Sequence, residues 1–263
     1  MADNKFVLRP VDPGHIRQQI AAGNITWGRT LGMLFSRLVL FAIFQALIAL
    51  GFGLAGATDA WKQSIAWWPI TATLTNLVSI VVLDRLLRQE GTRLLDLFRF
   101  NRPGLGKDLL AFLAVTLVSG PVGFIPMSVL SNWLFGDPQA GSALFILPLP
   151  VWAAAVSLVL FPLTIAFAEL PTYFGYVAPR LAQLSGKPWL ALGAAVALLA
   201  AQHITLPLIF DARYLLMRLL MFLPFALWLG LALRWRPSLF PYLMIAHGLI
   251  DLATVYFVFS MSI

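Results

Sequence analysis

Four ionisable side chains lie deep inside apolar runs of this sequence: Glu169, His203, His247 and Asp251. An ionisable group at membrane depth costs about 3 kcal/mol on insertion scales, so each needs a partner or a task. His247 and Asp251 are spaced i, i+4 in HGLID, which sets an imidazole and a carboxylate one turn apart on one helix face. Thr172, Tyr173 and Tyr176 follow Glu169 at i+3, i+4 and i+7 and extend it into a polar stripe. Two imidazoles and two carboxylates supply a general base, donors for a developing oxyanion and an orienting acid. The same set can ligate a divalent metal such as zinc, through His203, His247 and either Glu169 or Asp251, with a position left for water. A proton relay is a further use of such groups. Each group alone is as readily a helix bridge or a satisfied buried donor. The set is harder to explain by packing, because hydrogen-bond glue between membrane helices is usually Ser, Thr, Asn or Gln.

The elements that must position these groups are membrane helices. Of 263 residues, 60% are apolar or aromatic and 11% are charged, where soluble domains carry about 25% charge. Mean hydropathy is +0.86. This composition excludes a soluble globular domain, a disordered chain and a fibrous repeat, and predicts an all-α, polytopic integral membrane helical bundle. Seven runs are long enough to cross: Met33–Ala57, Ser64–Leu83, Leu109–Phe135, Pro150–Leu184, Trp189–Ile209, Leu215–Leu233 and Leu239–Met261. Pro162, Pro171 and Pro179 make kinks expected in the fourth, and splitting it would give eight. Gly120, Pro121, Gly123 and Pro126 could break the third.

Helical rise converts position into depth. From the Leu184 end Glu169 lies roughly 22 Å in, and from Trp189 His203 lies roughly 21 Å in. From Leu239, His247 and Asp251 lie roughly 12 and 18 Å in. All four therefore fall within one layer.

The net charge is +7. Membrane topology accounts for it, and no nucleic acid is expected. Lys5, Arg9, Arg17, Arg29, Arg37, Arg85, Arg88, Arg93, Arg99, Arg102, Lys107, Arg180, Lys187, Arg234 and Arg236 fall on one side of the spans, and Lys62, Arg213 and Arg218 on the other. The positive-inside rule makes the first side cytoplasmic, with the N terminus inside and the C terminus outside a plasma (inner) membrane. The segment 84–108 interleaves Leu94, Leu95, Leu97, Phe98 and Phe100 with Arg93, Arg99 and Arg102, the pattern of an amphipathic helix lying on anionic lipid or of a charged loop that fixes topology. Trp61, Trp67 and Trp68 suit one aromatic belt and Trp235 the other. There is no cysteine, hence no disulfide, thiolate site or cysteine nucleophile. No cleavable leader is expected in the polar first 30 residues. The chain reads as a tail (1–32), supporting helices (33–149) and a core carrying the polar set (150–263).

Glu, then His, then HxxxD on successive helices resembles the CAAX prenyl protease and bacteriocin-processing family, whose members are also known as abortive-infection proteins. The family pattern is EExxxR, often followed by Gly, then FxxxH, then HxxxN or HxxxD. Here the first part is AELPTYFGYVAPRL, Ala168 to Leu181. With the family glycine on Gly175, Glu169 takes the first glutamate, Leu170 the second and Phe174 the arginine. Shifted by one, Ala168 and Glu169 take the acidic pair and Tyr173 the arginine, so either way one acid and the arginine are missing. The second part is LAAQH, Leu199 to His203, with Leu for Phe; the third, His247 to Asp251, matches in full. The resemblance covers roughly Pro150 to Ile263.

It implies an intramembrane endopeptidase acting on a membrane-associated or lipidated peptide substrate, in a bundle whose cavity opens to the cytoplasm and to lipid. Glu169 would activate water, His203 position it, and His247 with Asp251 stabilise the oxyanion; a metal held by the histidines and a carboxylate is the alternative. Tyr173 and Tyr176 are expected to take over the support that the missing residues give Glu169. Two other functions compete: a non-catalytic membrane scaffold or immunity protein, and a small proton-coupled carrier. The carrier predicts internal duplication, which the sequence lacks.

Overall fold

The computed structural model describes residues 11–100 and 102–263. It is all-helical: α1 (Pro13–Ala21), α2 (Trp27–Leu54), α3 (Ala60–Ala66), α4 (Trp68–Gln89), α5 (Leu105–Phe135), α6 (Ala140–Ala143), α7 (Val151–Leu170), α8 (Ala178–Ser185), α9 (Pro188–Ala201), α10 (Ala212–Trp235) and α11 (Phe240–Ser260). Six helical stretches are long and apolar enough to cross a membrane: Trp27–Leu54, Trp68–Gln89, Leu94–Phe135, Val151–Ser185, Ala212–Trp235 and Pro237–Ser260. Pro188–Ile204 is a shorter apolar helix. Leu47, Leu54, Leu117, Leu163 and Leu249 stand on the outer surface, as lipid-facing residues do when the surrounding solvent is as apolar as they are. The protein is a polytopic helical bundle.

The expected third run is one continuous helix through Pro121 and Pro126. The fourth is also unbroken, but its middle is a π-helical segment, Pro171–Val177, between α7 and α8. Proline explains the wider turns. Pro171 and Pro179 have no N–H to return to the carbonyls of Phe167 and Gly175. Arg180 makes good part of the loss, since its Nη1 donates to Gly175 O at 3.3 Å and to Tyr176 O at 3.1 Å. The fifth run is helical only to Ile204, and Thr205–Asp211 is irregular. Irregular backbone at membrane depth must be satisfied by the protein. Gln45 does so at Leu208, accepting from its N–H at 2.6 Å and donating to its carbonyl at 3.0 Å.

The segment 84–108 is not a single helix. It contains the end of α4, a turn at Gly91 (φ 74°), short 3-10 turns at Leu94–Phe98 and Arg102–Gly104, and the start of α5. Leu94 and Leu97 are buried in the core, and Asp108 is buried against Arg236 (2.5 Å) and Ser238 (2.7 Å). Leu94 and Leu97 therefore pack inward, while Leu95 and Phe100 stay exposed. Three basic residues read as topology charges are also buried: Arg37, Arg180 and Arg218. Arg180 pairs with buried Glu90 and lies 4.0 Å over the Tyr176 ring. Lys5, Arg9 and Asn101 lie outside the described residues.

Two apolar cores fill the bundle. One contains Leu34, Leu83, Leu170, Leu199 and Met244; the other contains Phe41, Ala72, Ile165, Leu206 and Val255. The helix α10 passes from one to the other through Phe222, Leu223, Pro224 and Phe225, but α2, α4, α7, α11 and the stretch after α9 pass through polar residues. Arg37 lies between Leu34 and Phe41 on α2, and Asn76 and Ser79 between Ala72 and Leu83 on α4. Glu169 lies between Ile165 and Leu170, Gln202 and His203 between Leu199 and Leu206, and His247 and Asp251 between Met244 and Val255. A polar layer thus separates the two cores.

Candidate functional site

The layer is centred on Glu169, which is 3% exposed at the end of α7. Its two oxygens are held differently. Oε2 accepts a hydrogen bond from Gln202 Nε2 at 2.7 Å and lies 3.6 Å from Arg37 Nη2. Oε1 accepts no aligned hydrogen bond and lies 3.0 Å from His247 Nε2. The same imidazole nitrogen is 3.5 Å from Asp251 Oδ2, so His247 stands between the two carboxylates. Exposure rises outward through the three, from Glu169 to His247 (12%) to Asp251 (21%).

Arg37 is fully buried and organises the side of Glu169 away from His247. Its Nε donates to Gln202 Oε1 (2.7 Å) and its Nη1 to Asn76 Oδ1 (2.9 Å) and Ser79 Oγ (3.4 Å). Asn76 Nδ2 donates in turn to Thr164 Oγ1 at 3.1 Å. The Tyr173 hydroxyl reaches Gln202 Oε1 at 3.3 Å, so it supports Glu169 through Gln202 and not by touching it. Tyr176 does not join this network. Its hydroxyl is buried without a partner and its ring carries Arg180. Of the two expected supporting tyrosines, only Tyr173 is connected to the site. The reason is the π-helical segment, whose wider turns move i+7 off the face that an α-helix would have given it.

His203 lies in the layer but forms no ion pair with either carboxylate. Its Nδ1 is 2.9 Å from Leu199 O, its carbonyl accepts from Arg218 Nε at 3.1 Å, and its ring stacks on Phe222 with centroids 3.6 Å apart. Three residues along α10, Phe225 stacks more loosely on His247 at 6.4 Å. One face of α10 therefore steadies both imidazoles. Among the described residues no group of three His, Asp or Glu side chains is arranged to hold a metal ion. The set of His203, His247 and one carboxylate is not assembled as metal ligands, because His203 is turned to its own helix and to Phe222.

Beside His247 a small cleft of about 20 Å³ is lined by Thr116, Ser119, Phe225, Leu229 and Leu243. It lies between α5, α10 and α11, and Thr116 at its edge is exposed. The cleft borders His247 from the side of α5 and α10 and has room for about one water.

Comparison of the chain with protein-family models, curated proteins and solved structures gives no match.

The residues that sequence reasoning missed are Arg37, Asn76 and Gln202. All are polar within apolar runs, so a signal existed. Arg37 sits four residues into a run that begins at Met33 and so reads as a charge at its cytoplasmic end. With α2 starting at Trp27, Arg37 is roughly 15 Å along the helix. Gln202 adjoins His203, and an uncharged amide in an apolar run is a weaker signal than an ionisable group.

Proposed function

We propose that this chain is an intramembrane endopeptidase of the CAAX protease and bacteriocin-processing type, which hydrolyses a peptide bond in a membrane-associated or lipidated substrate. The observation that carries the reading is the asymmetry of Glu169. One oxygen is anchored by Gln202 and faces Arg37, while the other faces only His247, at 3.0 Å. A general base needs this arrangement: a fixed carboxylate with one lone pair left for a proton.

In the proposed reaction Glu169 takes a proton from water, and the water oxygen bonds to the scissile carbonyl carbon. His247, with Asp251 beside it, stabilises the oxyanion. Glu169 then passes its proton to the amine as the carbon–nitrogen bond breaks. Arg37 supplies from α2 a cation that the first motif lacks on its own helix.

We place the N terminus in the cytoplasm and the C terminus outside a plasma membrane. This rests on the loop charges. Once buried Arg37, Arg180 and Arg218 are set aside, Lys62 and Arg213 are the basic residues left on the outer side.

The test is a comparison of new protein N termini in membranes of cells expressing the wild type or Glu169→Gln at equal levels. Termini that require Glu169 establish proteolysis and name substrates. One observation favours a non-catalytic scaffold instead, namely the missing second acid and arginine of the first motif. A scaffold keeps its cellular phenotype in Glu169→Gln and yields no dependent termini.

A further inference from the structure

We propose that α4 carries a seam of bound water that runs from Trp68 to the Arg37–Glu169 network. Thr71, Thr75 and Ser79 are spaced i, i+4, i+8, so they form one stripe on α4 with steps of about 6 Å. At one end Ser79 Oγ accepts from Arg37 Nη1 at 3.4 Å, and Arg37 Nη2 lies 3.6 Å from Glu169. At the other end is Trp68, one turn before Thr71.

Thr71 Oγ1 and Thr75 Oγ1 are completely buried and have no hydrogen-bond partner. A threonine in a membrane helix usually satisfies itself by bonding to the carbonyl one turn back. Two neighbours do so: Thr73 donates to Pro69 O at 2.8 Å, and Ser79 to Thr75 O at 2.7 Å. The two threonines of the stripe do not. Trp68 Nε1, Ser157 on the adjacent helix α7 and Thr172, one turn beyond Glu169, are buried and unpartnered in the same way. A single orphaned hydroxyl is a packing defect. A series of them along two packed helices, ending at a buried arginine and carboxylate, is a series of ligand positions.

The chemistry of the positions identifies the ligand. They are neutral hydroxyls and an indole N–H, so neither an anion nor a metal cation is neutralised. A step of about 6 Å is two hydrogen bonds of about 2.8 Å in series, the span of one water between two hydroxyls. Hydrolysis consumes water and moves protons at Glu169, and the seam reaches Glu169 from the side away from His247 and the small cleft. That role rests on the hydrolytic reading above; the seam itself does not.

The experiment is water-edited solid-state NMR on the full chain in lipid bilayers. Magnetisation from water is expected to reach the Thr71 and Thr75 methyls several-fold faster than those of Thr73 and lipid-facing Val81. Transfer to Thr71 and Thr75 no faster than to Thr73 overturns the proposal. In Thr71→Val/Thr75→Val, transfer to Ser79 is expected to drop several-fold. Unchanged transfer there means that water comes from the other end, and the seam is wrong. If that variant does not fold, Thr75→Ser keeps the hydroxyl and is expected to keep the transfer to Ser79, and its loss there counts against the seam. Wild-type transfer together with a Glu169→Gln profile of N termini like the wild type's would remove the hydrolytic reading and leave the seam. Slow transfer with Glu169-dependent termini would remove the seam alone.

Discussion

Arg37 Nη2 lies 3.6 Å from Glu169 Oε2, with the two side chains 0% and 3% exposed. The guanidinium comes from the first long helix and the carboxylate from the fourth, so the pair ties α2 to α7. Neither side chain is open to bulk solvent, so each charge depends on the partners around it. Arg37→Met leaves a buried carboxylate without its cation and strips Gln202, Asn76 and Ser79 of a donor, and should cost about 3–5 kcal/mol. Combined with Glu169→Gln, the loss should fall short of the sum of the single losses by about 1–3 kcal/mol. Unfolding of the four proteins in one detergent measures this, and strict additivity would show that the two charges do not interact.

The two tyrosines should separate. Tyr173→Phe removes the hydroxyl bonded to Gln202 and should cost about 1 kcal/mol. Tyr176→Phe removes a hydroxyl with no partner and keeps the ring under Arg180, so it should stay within about 0.5 kcal/mol of wild type. If cleavage is observed, Tyr173→Phe is also the variant that slows it. Equal effects from both would contradict the separate networks.

Gly248 follows His247 and lets α11 approach α7. A Cβ there would sit 2.8 Å from the Pro162 carbonyl oxygen, a backbone atom that cannot step aside. Gly248→Ala should therefore cost about 1–3 kcal/mol and move His247 with its helix. Gly193, inside α9, has open space at the same position. Gly193→Ala should be neutral or stabilise by up to about 1 kcal/mol. Thermal unfolding of the two variants side by side checks the pair.

Asp211 caps α10, its side chain accepting from the N–H groups of Arg213 and Tyr214. The Arg213 side chain, followed by these backbone donors, holds its carboxyl below the usual aspartate range. A lowered acid stabilises above its unfolded value of about 3.9 and loses that contribution as pH falls through the folded value. Asp211→Ala should cost about 1 kcal/mol at neutral pH. Asp211→Asn keeps a capping oxygen but has no charge to lose. Any advantage of wild type over Asp211→Asn at neutral pH should therefore fade as the pH drops below about 4. An advantage that persists in acid would rule out the charge as its source.

Much of the layer was legible in the residues. Glu169, His203, His247 and Asp251 stand out because a charge or imidazole in an apolar run is expensive, and helical rise alone put them at one depth. The i, i+4 spacing of His247 and Asp251 was equally readable, and in the structure they stand 3.5 Å apart. The helical, membrane-crossing character of the chain follows from apolar run length, which is a local property.

Contacts between distant segments were not legible. Arg37 is one basic residue among many until α2 packs against α4, α9 and the π-helical segment, and only then does it face Glu169. His203 and Tyr176 had the right depth and the right spacing, yet His203 stacks on Phe222 without an ion pair to either carboxylate, and a π-helical segment rotates Tyr176. Position along a helix follows from the sequence because the rise per residue is constant. Direction around it depends on local winding and on which neighbour fills the space, and packing of the whole bundle settles both.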